Sequence, residues 1–373
     1  MLLTALKFIW YDKPKSIGAL AGTLISIFLI GQQSGIFIFL TNAMGSLVRN
    51  NSEYIWITDS KTTNVNALST IDVRLGREIE SIKGVSKVYP LVVAGVSAKF
   101  NNGKSSGINL VGSQAPYFKG GPLLMNVGTK EDMLKEGAII TDFFDKRTLG
   151  DVEVGDSFEI NNKKVFLAAQ TKGIRGFGGV YGFTTIERAR FLSKMSVNKA
   201  SAFLVEWDKN ISQEEVIRKI NTGIPGVKAW KGEDFERATV ITVLSSSGIA
   251  ISVGTLLIFA LISGFVIIGL TLYSAATDRI KDYGTLKAIG ATNGYITKLI
   301  LTQALIFALF GYAIGYFLVD SFRKGIANAG TIFTFPLWFQ FVLFFVTLLI
   351  AFGGSLFAIR RVTSIEPAQV FRT

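Results

Sequence analysis

Four apolar segments, at about 17–40, 248–273, 295–319 and 335–359, constrain this chain more than any other feature. Crossing a bilayer takes roughly 20 consecutive apolar residues, and each segment meets that length. Hydrocarbon offers backbone N–H and C=O groups no partner but one another, so each is expected as a helix. One segment precedes a long polar stretch and three follow it. The expected fold is therefore an α-helical membrane protein with four transmembrane helices in a 1+3 order and a large α+β extracytoplasmic domain inserted between the first and second. Hydrophobic residues make up 49% of the chain and charged residues only 18%, which agrees with a membrane protein.

Orientation follows from Lys and Arg near the span ends, because positive charge is retained in the cytoplasm. One set of flanks carries Lys7, Lys13 and Lys15, then Arg279, Lys281, Lys287 and Lys298, then Arg360, Arg361 and Arg372. The short opposite loop has Arg323 and Lys324. Both termini are expected on the cytoplasmic side of the inner membrane. The net charge of +12 is partly this bias and requires no nucleic-acid partner. The lead of the first span resembles a secretory signal, but its apolar run exceeds an h-region of roughly 7–15 residues, so it reads as a retained helix. The expected parts are 1–48, holding an N-terminal helix and the first span; 49–236, the α+β domain with a β-rich insertion at about 115–199; 237–359, the remaining spans; and 360–373, a cytoplasmic tail.

The chain has no Cys and no His. That excludes thiolate catalysis, imidazole bases and Cys- or His-ligated metals. No catalytic residue, metal ligand or cofactor site is expected. Within the polar stretch, residues 68–82 read as a helix leading through Gly84 and Val85 into a strand. Residues 212–222 read as a second helix, capped by Ser212, leading through Gly226 and Val227 into another. The two halves look alike, as two related βαβ-type lobes. The Gly-rich run 173–182 fits a phosphate loop poorly and lacks its Gly-Lys-Ser/Thr ending. Its Arg175, Phe177 and Tyr181 are instead candidates for binding a partner protein, since Arg and aromatic residues dominate contact hot spots.

Between the second and third spans, about 277–294, polar residues at 278, 279, 281 and 282 alternate with apolar ones at 280, 283, 286 and 289. The period is that of an amphipathic helix, ended by Gly290. Such a helix either rests among headgroups or docks into a groove on another protein.

The run Asp282-Tyr-Gly-Thr-Leu-Lys-Ala-Ile-Gly-Ala-Thr resembles the coupling segment of the MacB/LolC/FtsX-type ABC transporter permeases. The tail from Arg361 to Arg372, with Pro367 and Phe371, resembles their terminal signature, and the order of spans matches their plan. The start of the polar domain and the chain's ending look closest to the DevC branch. Asp282 stands where that segment commonly has Glu. The resemblance implies a permease subunit with no ATPase site of its own, ATP being bound by a separate cytoplasmic ABC ATPase dimer. It implies contact with that dimer through Asp282, Gly284, Leu286, Lys287, Ile289 and Gly290, and through Pro367, Phe371 and Arg372. It further implies a second copy or a paralogous permease, membrane lipids and a periplasmic membrane-fusion protein as partners. The implied mechanism is mechanotransmission driving export of a lipid-like or amphiphilic substrate. The alternative within the same resemblance is a signalling or cell-envelope regulatory subunit that moves no substrate.

Overall fold

The computed structural model describes residues 1–11 and 13–364. The chain starts with α1 (Leu2–Tyr11), α2 (Lys13–Met44) and the one-turn α3 (Ser46–Arg49), followed by β1 (Ile55–Asp59) and β2 (Ile71–Asp72). Next come α4 (Leu75–Glu80), β3 (Val85–Lys99), β4 (Ser105–Ser113), β5 (Met125–Val127), β6 (Ala138–Asp142), β7 (Ser157–Ile160), β8 (Lys163–Thr171) and β9 (Val180–Thr185). Then follow α5 (Ile186–Ser193), β10 (Lys199–Ala200), β11 (Ala202–Trp207), α6 (Gln213–Gly223), β12 (Val227–Lys231) and α7 (Gly232–Ser247). The remaining helices are α8 (Ile249–Asp278), α9 (Ile280–Ala288), α10 (Asn293–Ala327) and α11 (Leu337–Thr363). Two compact units result, one of residues 1–38 with those from 249 onward, the other Phe39–Gly248.

In the first unit, α2, α8, α10 and α11 are each long and apolar enough to cross a membrane. Small residues bring them together. Gly311 of α10 faces Thr23 of α2, a Cβ placed on Gly315 would meet Ile27 at 2.9 Å, and one on Gly31 would meet Val319 at 2.6 Å. Gly22 lies against Ile267 of α8, and Gly264 of α8 against Ser26. Thr23, Ser26 and Thr347 are buried in this bundle, and each donates its hydroxyl to the carbonyl four residues earlier, so these three hydroxyls are satisfied within their own helices.

The second unit is built on one ten-stranded sheet, ordered β12-β1-β11-β3-β4-β9-β6-β8-β5, with β7 bridging β3 and β8. Most pairs are antiparallel, but β4–β9 and β6–β8 are parallel. The long β3 and β4 form a hairpin from Leu91↔Ser113 to Lys99↔Ser105, closed by Gly103 at φ +80°. At the β7–β8 turn, Asn161 and Asn162 both take positive φ, as a tight two-residue hairpin requires. The stretch 115–199 supplies β5 to β9 to this same sheet rather than to a sheet of its own.

The expected resemblance of the two halves appears as a repeated helix–glycine–strand step. After α4, Gly84 at φ +105° leads into β3; after α6, Gly226 at φ +83° leads into β12. Both helices pack on one core containing Ile79, Phe203, Val216 and Ile220, so the steps share a layer rather than forming separate lobes. Ser212 caps α6 by accepting the Glu215 N–H at 3.2 Å. The helix read over 68–82 is shorter in the structure. Asp72 accepts the Arg74 N–H at 2.9 Å and pairs with the Arg74 guanidinium, a local turn that competes with helix until Leu75.

Candidate functional site: the α9 element and the Gly-rich loop

Asp282 in the first turn of α9 and Lys287 in its last suit the helix dipole. Its end is a Schellman turn: the Ala291 N–H donates to the Leu286 carbonyl at 2.9 Å and the Gly290 N–H to the Lys287 carbonyl at 3.0 Å, with Gly290 at φ +104°. Thr292 then caps α10 by accepting the Tyr295 N–H at 3.2 Å.

One side of α9 is held by its own bundle. Tyr283 is 2% exposed, its ring centroid 5.5 Å from that of Phe8 in α1. Burial pushes the Tyr283 hydroxyl up to about 12. The Arg279 guanidinium sits over the rings of Phe8 and Tyr11 at 4.8 and 5.1 Å, and Lys15 of α2 is ion-paired with Asp278 at the end of α8. Lys287 donates to the Thr363 carbonyl of α11 at 2.9 Å, and burial lowers its pKa. Gly284 is buried and Leu286 packs against the bundle core.

The opposite side is open: Lys281, Asp282, Thr285, Ala288 and Ile289 are exposed, Ile289 to 80%. This corrects the single apolar face read from residues 280, 283, 286 and 289. Tyr283 and Leu286 face the chain's own core, while Ile289 lies past the helix end and points away. Of the residues expected at a coupling contact, Asp282, Ile289 and Gly290 are presented outward, and Gly284, Leu286 and Lys287 are braced inward. Pro367, Phe371 and Arg372 lie outside the described residues.

The Gly-rich loop is tied down at its root. Arg175 pairs with Asp145 at 3.0 Å, and its carbonyl accepts the Ser46 hydroxyl at 2.6 Å. The Asp142 carboxylate accepts N–H bonds from Ile174 at 2.8 Å and Phe144 at 3.0 Å and the Thr171 hydroxyl at 3.0 Å. Burial raises the pKa of Asp142 and pushes Asp145 up to about 7; Arg175 opposes the Asp145 shift and neighbouring Asp142 adds to it. Phe177 is half-buried. Tyr181 is not on the loop surface: it is the second residue of β9, 2% exposed, its ring 6.0 Å from that of Phe183. It is a core residue, so its reading as a contact residue does not stand.

Sequence reasoning did not pair Phe8, Lys15 and Asp278 in bracing α9, nor place Ser46, Asp142 and Asp145 beneath the loop. Phe8 lies in the short apolar N-terminal helix and Lys15 in the first turn of α2. The acids carried no local signal, because their partners are distant in sequence. No cluster of acids fit to hold a metal ion occurs among the described residues.

Residues 254–367 match the FtsX-like permease C-terminal family model. No curated protein matches the sequence. Among solved structures, the periplasmic region of MacB from Actinobacillus actinomycetemcomitans aligns at 10% identity and TM-score 0.37, covering 52% of this chain and 94% of that one. The extracellular domain of the ABC-type transporter YknZ from Gram-positive bacteria aligns at 16% identity and TM-score 0.34, covering 48% and 99%. A permease protein domain from Porphyromonas gingivalis aligns at 10% identity and TM-score 0.34, covering 48% and 91%.

Proposed function

We propose that the chain is a permease subunit of the MacB/FtsX type, a reading supported by the match of residues 254–367 to the FtsX-like permease C-terminal family model, and that it couples ATP hydrolysis by a separate ABC ATPase dimer to movement of the Phe39–Gly248 unit. In this reading α9 lies on the cytoplasmic side and the sheet-bearing unit outside. The work drives export of an amphiphilic substrate with a membrane-fusion partner, and a second permease subunit completes the assembly.

The observation that carries this reading is the two-sided character of α9. Its exposed stripe runs from Lys281 and Asp282 through Thr285 and ends in Ile289, an aliphatic side chain in the open, while Tyr283, Leu286 and Lys287 fasten the helix to the bundle. An interfacial helix resting in headgroups would turn its apolar side to lipid. Here the larger apolar side chains are turned to the protein, and what remains outward is a mixed polar surface with one apolar anchor, as in a contact between proteins. A force applied to the stripe passes through Phe8 to α1 and through Thr363 to α11.

The test pairs two substitutions. Ile289→Asp should abolish copurification of the ATPase and leave the permease's melting temperature unchanged, since a central hot-spot side chain carries ~2 kcal/mol or more. Leu286→Asp should instead lower the melting temperature, because it puts a charge against the bundle core. An Ile289→Asp permease that still binds the ATPase and stimulates its turnover overturns the coupling role.

A further inference from the structure

The N-terminal helix packs against α10 and leaves a groove between itself, α2 and α10. Leu6 and Trp10 of α1, Ile17 and Leu20 of α2, and Phe307 and Phe310 of α10 line a space of about 460 Å³. These walls are apolar, and two of the three helices are candidate spans. Lys13 stands at the edge of the groove, its ammonium 5.2 Å from the centroid of the Trp10 ring. Around it α1 exposes Leu3, Trp10 and Tyr11 at 75%, 75% and 87%. Trp, Tyr and Lys together on one short apolar helix are the residue types that sit where acyl chains meet headgroups.

The geometry fits one kind of occupant. An apolar trough between membrane helices accepts a hydrocarbon chain, and a single cation at its end selects what that chain is attached to. We propose that this groove binds one anionic phospholipid, an acyl chain lying against Ile17, Leu20 and Phe310 and the phosphate meeting Lys13. The site goes beyond ATPase coupling and needs only that the chain lie in a membrane. It places a lipid against the same α1 that braces Tyr283 of α9, so its occupancy would bear on how firmly that element is held.

Brominated acyl chains quench nearby indoles, and Trp10 is the reporter. With Trp338→Phe in the full-length chain, Trp10 is the one tryptophan on the membrane helices. Reconstituted in phosphatidylcholine vesicles, it should be quenched by brominated phosphatidylglycerol about fivefold more than by brominated phosphatidylcholine at the same low mole fraction, the preference one Lys gives at an anionic surface. Lys13→Gln should remove the difference, and Lys7→Gln, on α1 and outside the groove lining, should keep it. Equal quenching by the two lipids in the parent overturns the proposal. So does loss of the preference in Lys7→Gln as in Lys13→Gln, which would mean diffuse surface charge. Absence of quenching by either lipid also overturns it, since protein would then fill the groove.

Discussion

Arg175 joins three parts of the sheet-bearing unit: its own loop, the Asp142–Asp145 turn through its guanidinium, and α3 through its carbonyl. The acids beneath it give this arrangement a pH signature. An unfolded Asp titrates near ~3.9, whereas burial holds folded Asp145 at about 7. Between those values the folded chain keeps a proton that the unfolded chain has released, so stability falls as pH rises through the window and levels off above it. Asp142 is shifted the same way. Asp132 and Glu215, whose pKa values are lowered by Lys135 and Lys219, act below this range. Asp145→Asn should therefore flatten the loss between pH 5 and pH 8 by on the order of 1–3 kcal/mol, a few degrees of melting temperature for a unit of this size. Thermal unfolding of the full-length chain, followed by the fluorescence of buried Trp56, measures it. A parent and variant with the same pH dependence would remove Asp145 from the account. The chemistry of this site was not legible in the sequence. Arg175 and Phe177 were visible as residue types that make contacts, but whether they turn outward depends on Asp145 and Ser46. Tyr181 was misplaced because a Gly-rich run hides the start of a strand.

Helices and strands were legible where local pattern alone decides them. The four apolar helices follow from hydropathy and the start of α6 from capping by Ser212. The helix over 68–82 failed because an Asp72 side chain satisfies backbone groups that the helix would have used. Glycines recur along the apolar helices, Gly22, Gly31, Gly311 and Gly315 among them, and the structure gives them partners. Replacing Gly315 with Leu drives a side chain into Ile27, and Gly311→Leu into Thr23, both on α2. Over-packing typically costs ~1–3 kcal/mol, and the close approach of α2 and α10 would be lost with it. Each variant should melt several degrees below the parent in detergent. Gly325→Leu, on the same helix with nothing near its Cβ position, should not. If Gly311→Leu and Gly315→Leu melt like Gly325→Leu, the glycines reflect composition and not packing.

The order of the whole molecule, one candidate span, a long domain and three candidate spans, is read directly from hydropathy, but the construction of that domain is not. The β4–β9 ladder pairs Ile108 with Val180 and Ser113 with Thr185, and no local periodicity names such a partner. The stretch around 115–199 therefore looked like an insertion, although its strands complete a sheet begun by β1 and β3. Orientation rests on charge alone: Lys and Arg gather at one set of span ends, and moving such a charge to mid-membrane costs ~2.5–3.5 kcal/mol on insertion scales. A membrane-impermeant thiol reagent decides it cleanly, because the chain has no native Cys. Single cysteines at Asn162, exposed on the β7–β8 turn, and at Asn293, exposed at the start of α10, sample the two proposed sides. In intact spheroplasts Asn162→Cys should be labelled, and Asn293→Cys only after the membrane is opened. Labelling of Asn293→Cys in sealed cells would put α9 outside, beyond the reach of any ATPase, and the coupling proposal would fall with the topology.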